Sequence, residues 1–263
     1  MSLDQLARDY DRDGYISGVP ILSADETKRH RNVLEDLETA EGKLHYKAKL
    51  HTVMTSPYEM ATHPKVLDVV EALIGPDILL YDVTYIIKEP RTEAHVSWHQ
   101  DLTFWGLSDD AQVSMWLALS PATKASGCMR MIPGSHKSGV IKHDTTPDEN
   151  NVLLQGQTVI GVDESHAVMC PLKPGEASFH HGWVLHASMP NQSDDRRIGL
   201  NVQFLAPHVR QTKHDLGSAM LVRGEDRYGN FREDIPASVD FDPAAVKRWH
   251  ELDKLHVETQ GTA

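Results

Sequence analysis

Residues 96–105 read VSWHQDLTFW, with His99 and Asp101 two positions apart among Val, Trp, Thr and Phe. If this run is a strand, a spacing of two points both side chains to one face, and that face offers an imidazole and a carboxylate to a single ion. The pattern alone is weak, because a chain with 16 histidines yields about one such match by chance. A third donor is available in FHHGWVLHAS, residues 179–188. Taken as one strand, it carries His180, Gly182, Val184 and His186 on one face and His181, Trp183 and Leu185 on the other. Two imidazoles and one carboxylate with open positions form a facial triad, the donor set that suits Fe(II) and oxygen chemistry. The turn-like MPNQSDD follows, and RRIGLNVQF is then predicted to return antiparallel to the His186 strand. Across that hairpin Arg197 reaches the same cavity and can hold a carboxylate through two parallel hydrogen bonds. A slip of one residue would bring Arg196 there instead.

The elements that must position these residues follow from periodicity. Ser23 with Glu26 reads as a capping box opening a helix through about Leu37, and Pro64 opens a second helix that Gly75 and Pro76 stop. From Ile78 the period changes to short β-rich runs, among them ILLYDVTYIIKE, AHVSWHQD, VSMWLALS, EASFHHGWVLHAS and RRIGLNVQFLA. Many short strands behind a helical N-terminal part predict a sandwich or jelly roll with helices on one face. Residues 214–235, polar and rich in Gly and Arg, read as a lid, an interface loop or a surface excursion, too irregular for a core strand. Residues 243 to about 256 predict a surface helix.

At 263 residues the chain is within the range of one domain with a sizeable core. A formal net charge of −12 argues against nucleic acid or an anionic membrane as the partner, since both select basic patches. With neither a signal peptide nor an apolar run of spanning length, a cytoplasmic location is expected. Cys128 and Cys170, without C-x-x-C spacing, read as packed thiols. His180 and His181 read as structural imidazoles beside a polar site.

At WHQD, MWLALSPATKASGCMRMIPGSHKSG and LHASMPNQSDDRRIGLNVQF the chain resembles the phytanoyl-CoA dioxygenase family of Fe(II)/2-oxoglutarate oxygenases. The resemblance runs over about residues 81–207 and is weaker in the N-terminal helices. In that family an H-x-D supplies two iron ligands, a His some ninety residues later the third, and an Arg eleven after it pairs with the 2-oxoglutarate carboxylate. The separations here are 186 − 99 = 87 and 197 − 186 = 11. The resemblance implies a mainly β double-stranded β-helix (a cupin-like jelly roll) with N-terminal helices packed on one sheet. It implies one domain, with 1–77 a helical support region, 78–207 the jelly-roll core and 208–263 a C-terminal loop and helix.

Carried over by position, His99, Asp101 and His186 look like the iron ligands and Arg197 like the cosubstrate anchor, with Ser188 and Trp116 lining the 2-oxoglutarate site. Trp105 matches a substrate-side aromatic of a related hydroxylase. With Trp98 and Phe104 it is expected to form an aromatic wall, while Arg130 borders the cavity and is expected to bind an anionic group of the substrate. Fe(II), 2-oxoglutarate and O2 are the implied cofactors, and a small polar metabolite fits an acidic protein better than a CoA thioester. Halogenating members of the wider family have Gly or Ala where Asp101 stands, so the carboxylate implies hydroxylation or another oxidation. Two alternatives remain open: a cupin-like Zn or Mn metalloenzyme with no use for 2-oxoglutarate or Arg197, and a non-catalytic metal-binding module.

Overall fold

The computed structural model describes residues 2–146, 148–153 and 156–261. Helix α1 (Leu3–Asp13) and strand β1 (Tyr15–Pro20) open the chain, followed by α2 (Ala24–Glu41), α3 (Thr55–Ala61) and α4 (Pro64–Ile74). The capping box forms: Ser23 Oγ accepts from the Glu26 amide at 3.3 Å, and a Glu26 carboxylate oxygen accepts from the Ser23 amide at 2.7 Å. Gly75, at φ 97°, ends α4.

The strand-rich part runs through β2 (Ile78–Lys88), β3 (Val96–His99), the short helix α5 (Leu102–Trp105), β4 (Gln112–Ala118), β5 (Met129–Met131), β6 (Asp144–Thr145) and β7 (Gln157–Thr158). It continues with β8 (Val168–Cys170), β9 (Glu176–His180), β10 (His186–Ser188), β11 (Arg197–Leu205), β12 (Ser218–Arg223), β13 (Arg232–Glu233) and the final helix α6 (Pro243–Gly261). A seven-stranded sheet has the order β1-β9-β4-β11-β2-β12-β13, and a four-stranded sheet the order β3-β10-β5-β8. Among the described residues no helix is long and apolar enough to cross a membrane.

Alternation along β2 and β11 divides the large sheet into two chemistries. Val83, Tyr85 and Ile87, with Leu200, Val202 and Phe204, join Leu34, Val66 and Val70 of the helices in the main core. Each fully buried Leu or Val there contributes about 1.5–3 kcal/mol, which holds the helices on that face. The opposite face carries Asp82, Thr84, Ile86 and Lys88 paired in register with Gln203, Asn201, Gly199 and Arg197. A row so polar stays buried only where it lines a site or finds partners.

Two boundaries differ from the sequence expectation. The jelly-roll sheet is not confined to residues 78–207, because β1 pairs with β9 at one edge and β12 pairs with β2 near the other. The segment 214–235 is thus no free loop: Ala219 and Met220 are buried in β12, Arg223 ends that strand and Arg232 begins β13.

Candidate metal and cosubstrate site

His99 ends β3 and His186 begins β10, and the two are directly opposite in the antiparallel ladder. A cross-strand pair brings side chains of one face together, and the two rings lie 4.1 Å apart by centroid. Asp101 reaches them by another route than expected. The strand stops at His99, and Asp101 adopts helical backbone angles at the start of α5, so a turn, and not strand alternation, aims the carboxylate back. One donor atom from each of His99, Asp101 and His186 lies within 4.8 Å of the other two.

Hydrogen bonds set the orientation of each donor. His99 Nδ1 donates to the Ser97 carbonyl at 2.9 Å and His186 Nδ1 to the Val184 carbonyl at 3.1 Å. A carbonyl only accepts, so each ring holds a proton on Nδ1 and turns Nε2, the atom a metal would take, toward the site. Asp101 Oδ1 faces these nitrogens at 3.3 and 3.5 Å. Its other oxygen, Oδ2, accepts from Ser114 Oγ at 3.0 Å and His180 Nε2 at 3.2 Å. One oxygen is held and the other is left for a ligand role. Burial pushes the His186 pKa well below its ordinary value, with His99 adding to the effect. Burial alone would raise Asp101, but the surrounding imidazoles of His186, His180 and His99 outweigh it and keep the carboxylate ionised.

Arg197 lies in the same cavity, which Trp116, Ser188 and His180 also line. The guanidinium is 1% exposed, donates to the Gly127 carbonyl at 2.6 Å and lies over the Trp116 ring at 5.1 Å. Its Nε has no partner and it pairs with no carboxylate among the described residues, and desolvation lowers its pKa to about 10. A buried cation without an anion is costly unless a ligand supplies one. Arg196 has the opposite environment, at 2.7 Å from Glu38 and 3.1 Å from Glu89.

The route to this constellation corrects the predicted hairpin. The run 176–188 is two strands in different sheets, broken by a turn after His180, and β10 never pairs with β11. Residues 189–196 cross from the small sheet to the large one, so His186 and Arg197 face each other across the sandwich. His180, expected to be structural, comes from the large sheet and still lies 4.6 Å from His186 by ring centroid, where it holds Asp101.

A second cavity adjoins the first, sharing His99, Asp101 and Asn201, and Phe104 and Trp105 wall it. Trp98 does not. It is one residue from His99, points to the other face, and donates from Nε1 to Glu164 at 2.7 Å. Arg130 is likewise outside, ion-paired to Glu164 at 2.6 Å and stacked on Trp98 at 4.8 Å. Alternation explains both: Met129, next to Arg130, takes the cavity side. Two further residues carry structural signals that sequence reading passed over. Gly199 sits where a Cβ would lie 1.9 Å from the Trp116 ring, so only Gly lets that indole lie flat on β11. Lys88, opposite Arg197, donates to Ser188 Oγ at 2.7 Å and to the Met189 carbonyl at 2.6 Å, fixing the strand end that lines the site.

With this geometry in place, the comparisons with known proteins decide the family. The family model for phytanoyl-CoA dioxygenase matches residues 10–199. The chain belongs to this family. Phytanoyl-CoA dioxygenase domain-containing protein 1 of Danio rerio is 34% identical over 148 residues, 53% of this chain and 50% of that protein. The chain spans about half the length of the curated relatives it matches. Among solved structures, an apo non-heme monooxygenase, ThoJ, superposes with a TM-score of 0.82 at 30% identity, covering 96% of this chain and 99% of that one. CytC3 with Fe(II) and alpha-ketoglutarate gives 0.68 at 23% identity over 89% and 96%, a likeness of fold. The phytanoyl-CoA dioxygenase family uses Fe(II) and 2-oxoglutarate, and this chain carries a site that can be set against them. Its residues fit them: three oriented donors suit the metal, and the orphaned Arg197 guanidinium suits a carboxylate.

Proposed function

We propose that the protein is an Fe(II)- and 2-oxoglutarate-dependent dioxygenase that hydroxylates an unactivated C–H bond of a small polar substrate. The observation that carries this reading is Arg197, a buried guanidinium with no acidic partner, in one cavity with the His99, Asp101 and His186 donors. The bound cofactors supply the chemistry, oxidative decarboxylation of 2-oxoglutarate to succinate and carbon dioxide coupled to C–H oxidation. The chain supplies position and dryness. His99 Nε2, His186 Nε2 and Asp101 Oδ1 would hold the metal, and Arg197 on its Trp116 bed would hold a carboxylate of 2-oxoglutarate. Phe104 and Trp105, both buried, keep bulk water from the substrate side. Hydroxylation is favoured over halogenation because Asp101 occupies a ligand position that chloride would need. The ThoJ likeness, at 30% identity over nearly both whole chains, supports an oxygenase outcome.

The test is an anaerobic titration of apoprotein with Fe(II) and 2-oxoglutarate, following the visible charge-transfer band of the chelate, then admission of air and assay of succinate. A band and oxygen-dependent succinate are expected. No band would sink the reading and bring forward a Zn or Mn enzyme. Chlorinated product formed as fast as hydroxylated product would sink its finer part, and stimulation by acyl-CoA alone would sink the small polar substrate.

A further inference from the structure

The cavity face of the β2 and β11 ladder is electrically polarised. Arg197 stands at one end, opposite Lys88, and Gln203 and Asp82 pair at the other. Burial pushes the Lys88 pKa down to about 6, so that Arg197 carries the charge at its end. Six residues of strand separate Arg197 from Gln203, roughly 20 Å. The acidic end lines the second cavity, which also reaches His99 and Asp101.

Asp82 is 1% exposed. Its Oδ1 accepts from the Lys49 amide at 2.6 Å and its Oδ2 from the Thr84 hydroxyl at 2.6 Å. His256, on α6, stands 3.9 Å away, and burial lowers its pKa, which leaves the ring neutral at pH 7. The nearby Lys49 ammonium is committed elsewhere, to the Tyr81 and Ser218 carbonyls and to Asp234 at 3.0 Å. Thus among the described residues no lysine or arginine side chain pairs with Asp82. Beside it, Gln203 is 4% exposed and its Oε1 has no hydrogen-bond partner. A buried carboxylate has about four acceptor sites, of which two are used here, and an unpartnered amide adds to the deficit. Unused acceptor capacity with no lysine or arginine head group bonded to it is what this end of the cavity presents.

We propose that the primary substrate carries a protonated amine, which enters the second cavity and donates to Asp82 and Gln203. This deepens the oxygenase reading and rests on it. Phe104 and Trp105 on the same cavity give the cation apolar and aromatic surface to lie against. Opposite polarity at the two ends sorts the two small molecules: the 2-oxoglutarate dianion is drawn to Arg197 and repelled from Asp82, and an ammonium the reverse. The proposal also reverses the anionic substrate group expected from Arg130, which lies outside the cavity on Glu164.

The experiment is an anaerobic titration of the Fe(II)- and 2-oxoglutarate-loaded protein with n-butylamine, 1,4-diaminobutane and histamine, each against its N-acetyl counterpart. Band shift and calorimetry are the readouts. Amines are expected to bind at least roughly tenfold tighter than the neutral counterparts, and Asp82→Asn to erase roughly 10- to 100-fold of that preference, beyond any change in its 2-oxoglutarate affinity. Gln203→Lys, which tethers an ammonium beside Asp82, is expected to abolish the amine response and stands in should Asp82→Asn not fold. A chelate band that forms while amines bind no tighter than N-acetyl amines, or not at all, overturns the proposal. So does a preference that survives either substitution. A missing band in the wild type is a different result, and it counts against the oxygenase reading itself.

Discussion

Replacing Arg197 by Met removes a charge and keeps most of the side-chain volume. Desolvation lowers the guanidinium pKa from its ordinary value to about 10, equivalent to about 3 kcal/mol by which the folded apoprotein disfavours the charge. The substitution relieves that cost but gives up the hydrogen bond to the Gly127 carbonyl, about 1–3 kcal/mol for a buried acceptor left without its donor. The terms nearly offset, so apoprotein stability is expected to stay within about 2 kcal/mol of wild type. Ligand binding has no such offset. Losing one partner of a buried ion pair costs about 2–5 kcal/mol, which is roughly 30- to several-thousand-fold in 2-oxoglutarate affinity. Calorimetric titration of the metal-loaded protein measures the affinity, and urea unfolding of the apoprotein the stability. The pH dependence has a definite sign. A base whose pKa is lowered by folding penalises the fold while charged, and the penalty fades above about pH 10, where the folded protein releases the proton first. In wild type the 2-oxoglutarate Kd should therefore begin to rise above about pH 10, and in Arg197→Met this bend should vanish. Arg196→Met serves as control, since the Arg196 guanidinium pairs with Glu35, Glu38 and Glu89 among the described residues. An Arg197→Met protein that binds 2-oxoglutarate within threefold of wild type would refute the reasoning.

His180→Phe removes the imidazole donor on Asp101 Oδ2 and is expected to weaken Fe(II) binding by roughly 10- to 100-fold, read by competition with a chromophoric chelator. An effect below threefold would mean that Ser114 alone orients the carboxylate. Gly199→Ala forces a methyl into the Trp116 ring; a destabilisation of about 1–3 kcal/mol and weaker 2-oxoglutarate binding should appear together, and an unchanged Tm would contradict the close approach. Arg130→Ala breaks only the outward pair with Glu164 and the stack on Trp98, so iron and 2-oxoglutarate affinities should change less than threefold; a larger loss would return Arg130 to the site.

The candidate donors could be named from residue type and spacing only together with the family resemblance, and the structure brings the three into one cluster. Residue type names the chemistry an imidazole, a carboxylate or a guanidinium can do, and the order H-x-D, His, Arg survives whatever path the backbone takes between them. Strand periodicity likewise announced a layered β fold, and the capping box and Pro64 announced helices, since these signals act within a few residues. Three things needed the tertiary structure. Alternation tells which residues of a strand share a face but not where the strand stops, so Asp101 was assigned to a strand that ends at His99, and His180 was joined to the strand of His186. Nor does it tell which sheet a strand enters, so β10 and β11 read as a hairpin although they lie in opposite sheets. Finally, a polar residue on a strand looks the same in sequence whether its partner is protein or ligand. Arg130 has its carboxylate in Glu164, while Arg197 has none among the described residues and Asp82 and Gln203 keep unused acceptor capacity, a difference set by contacts between residues far apart in the chain.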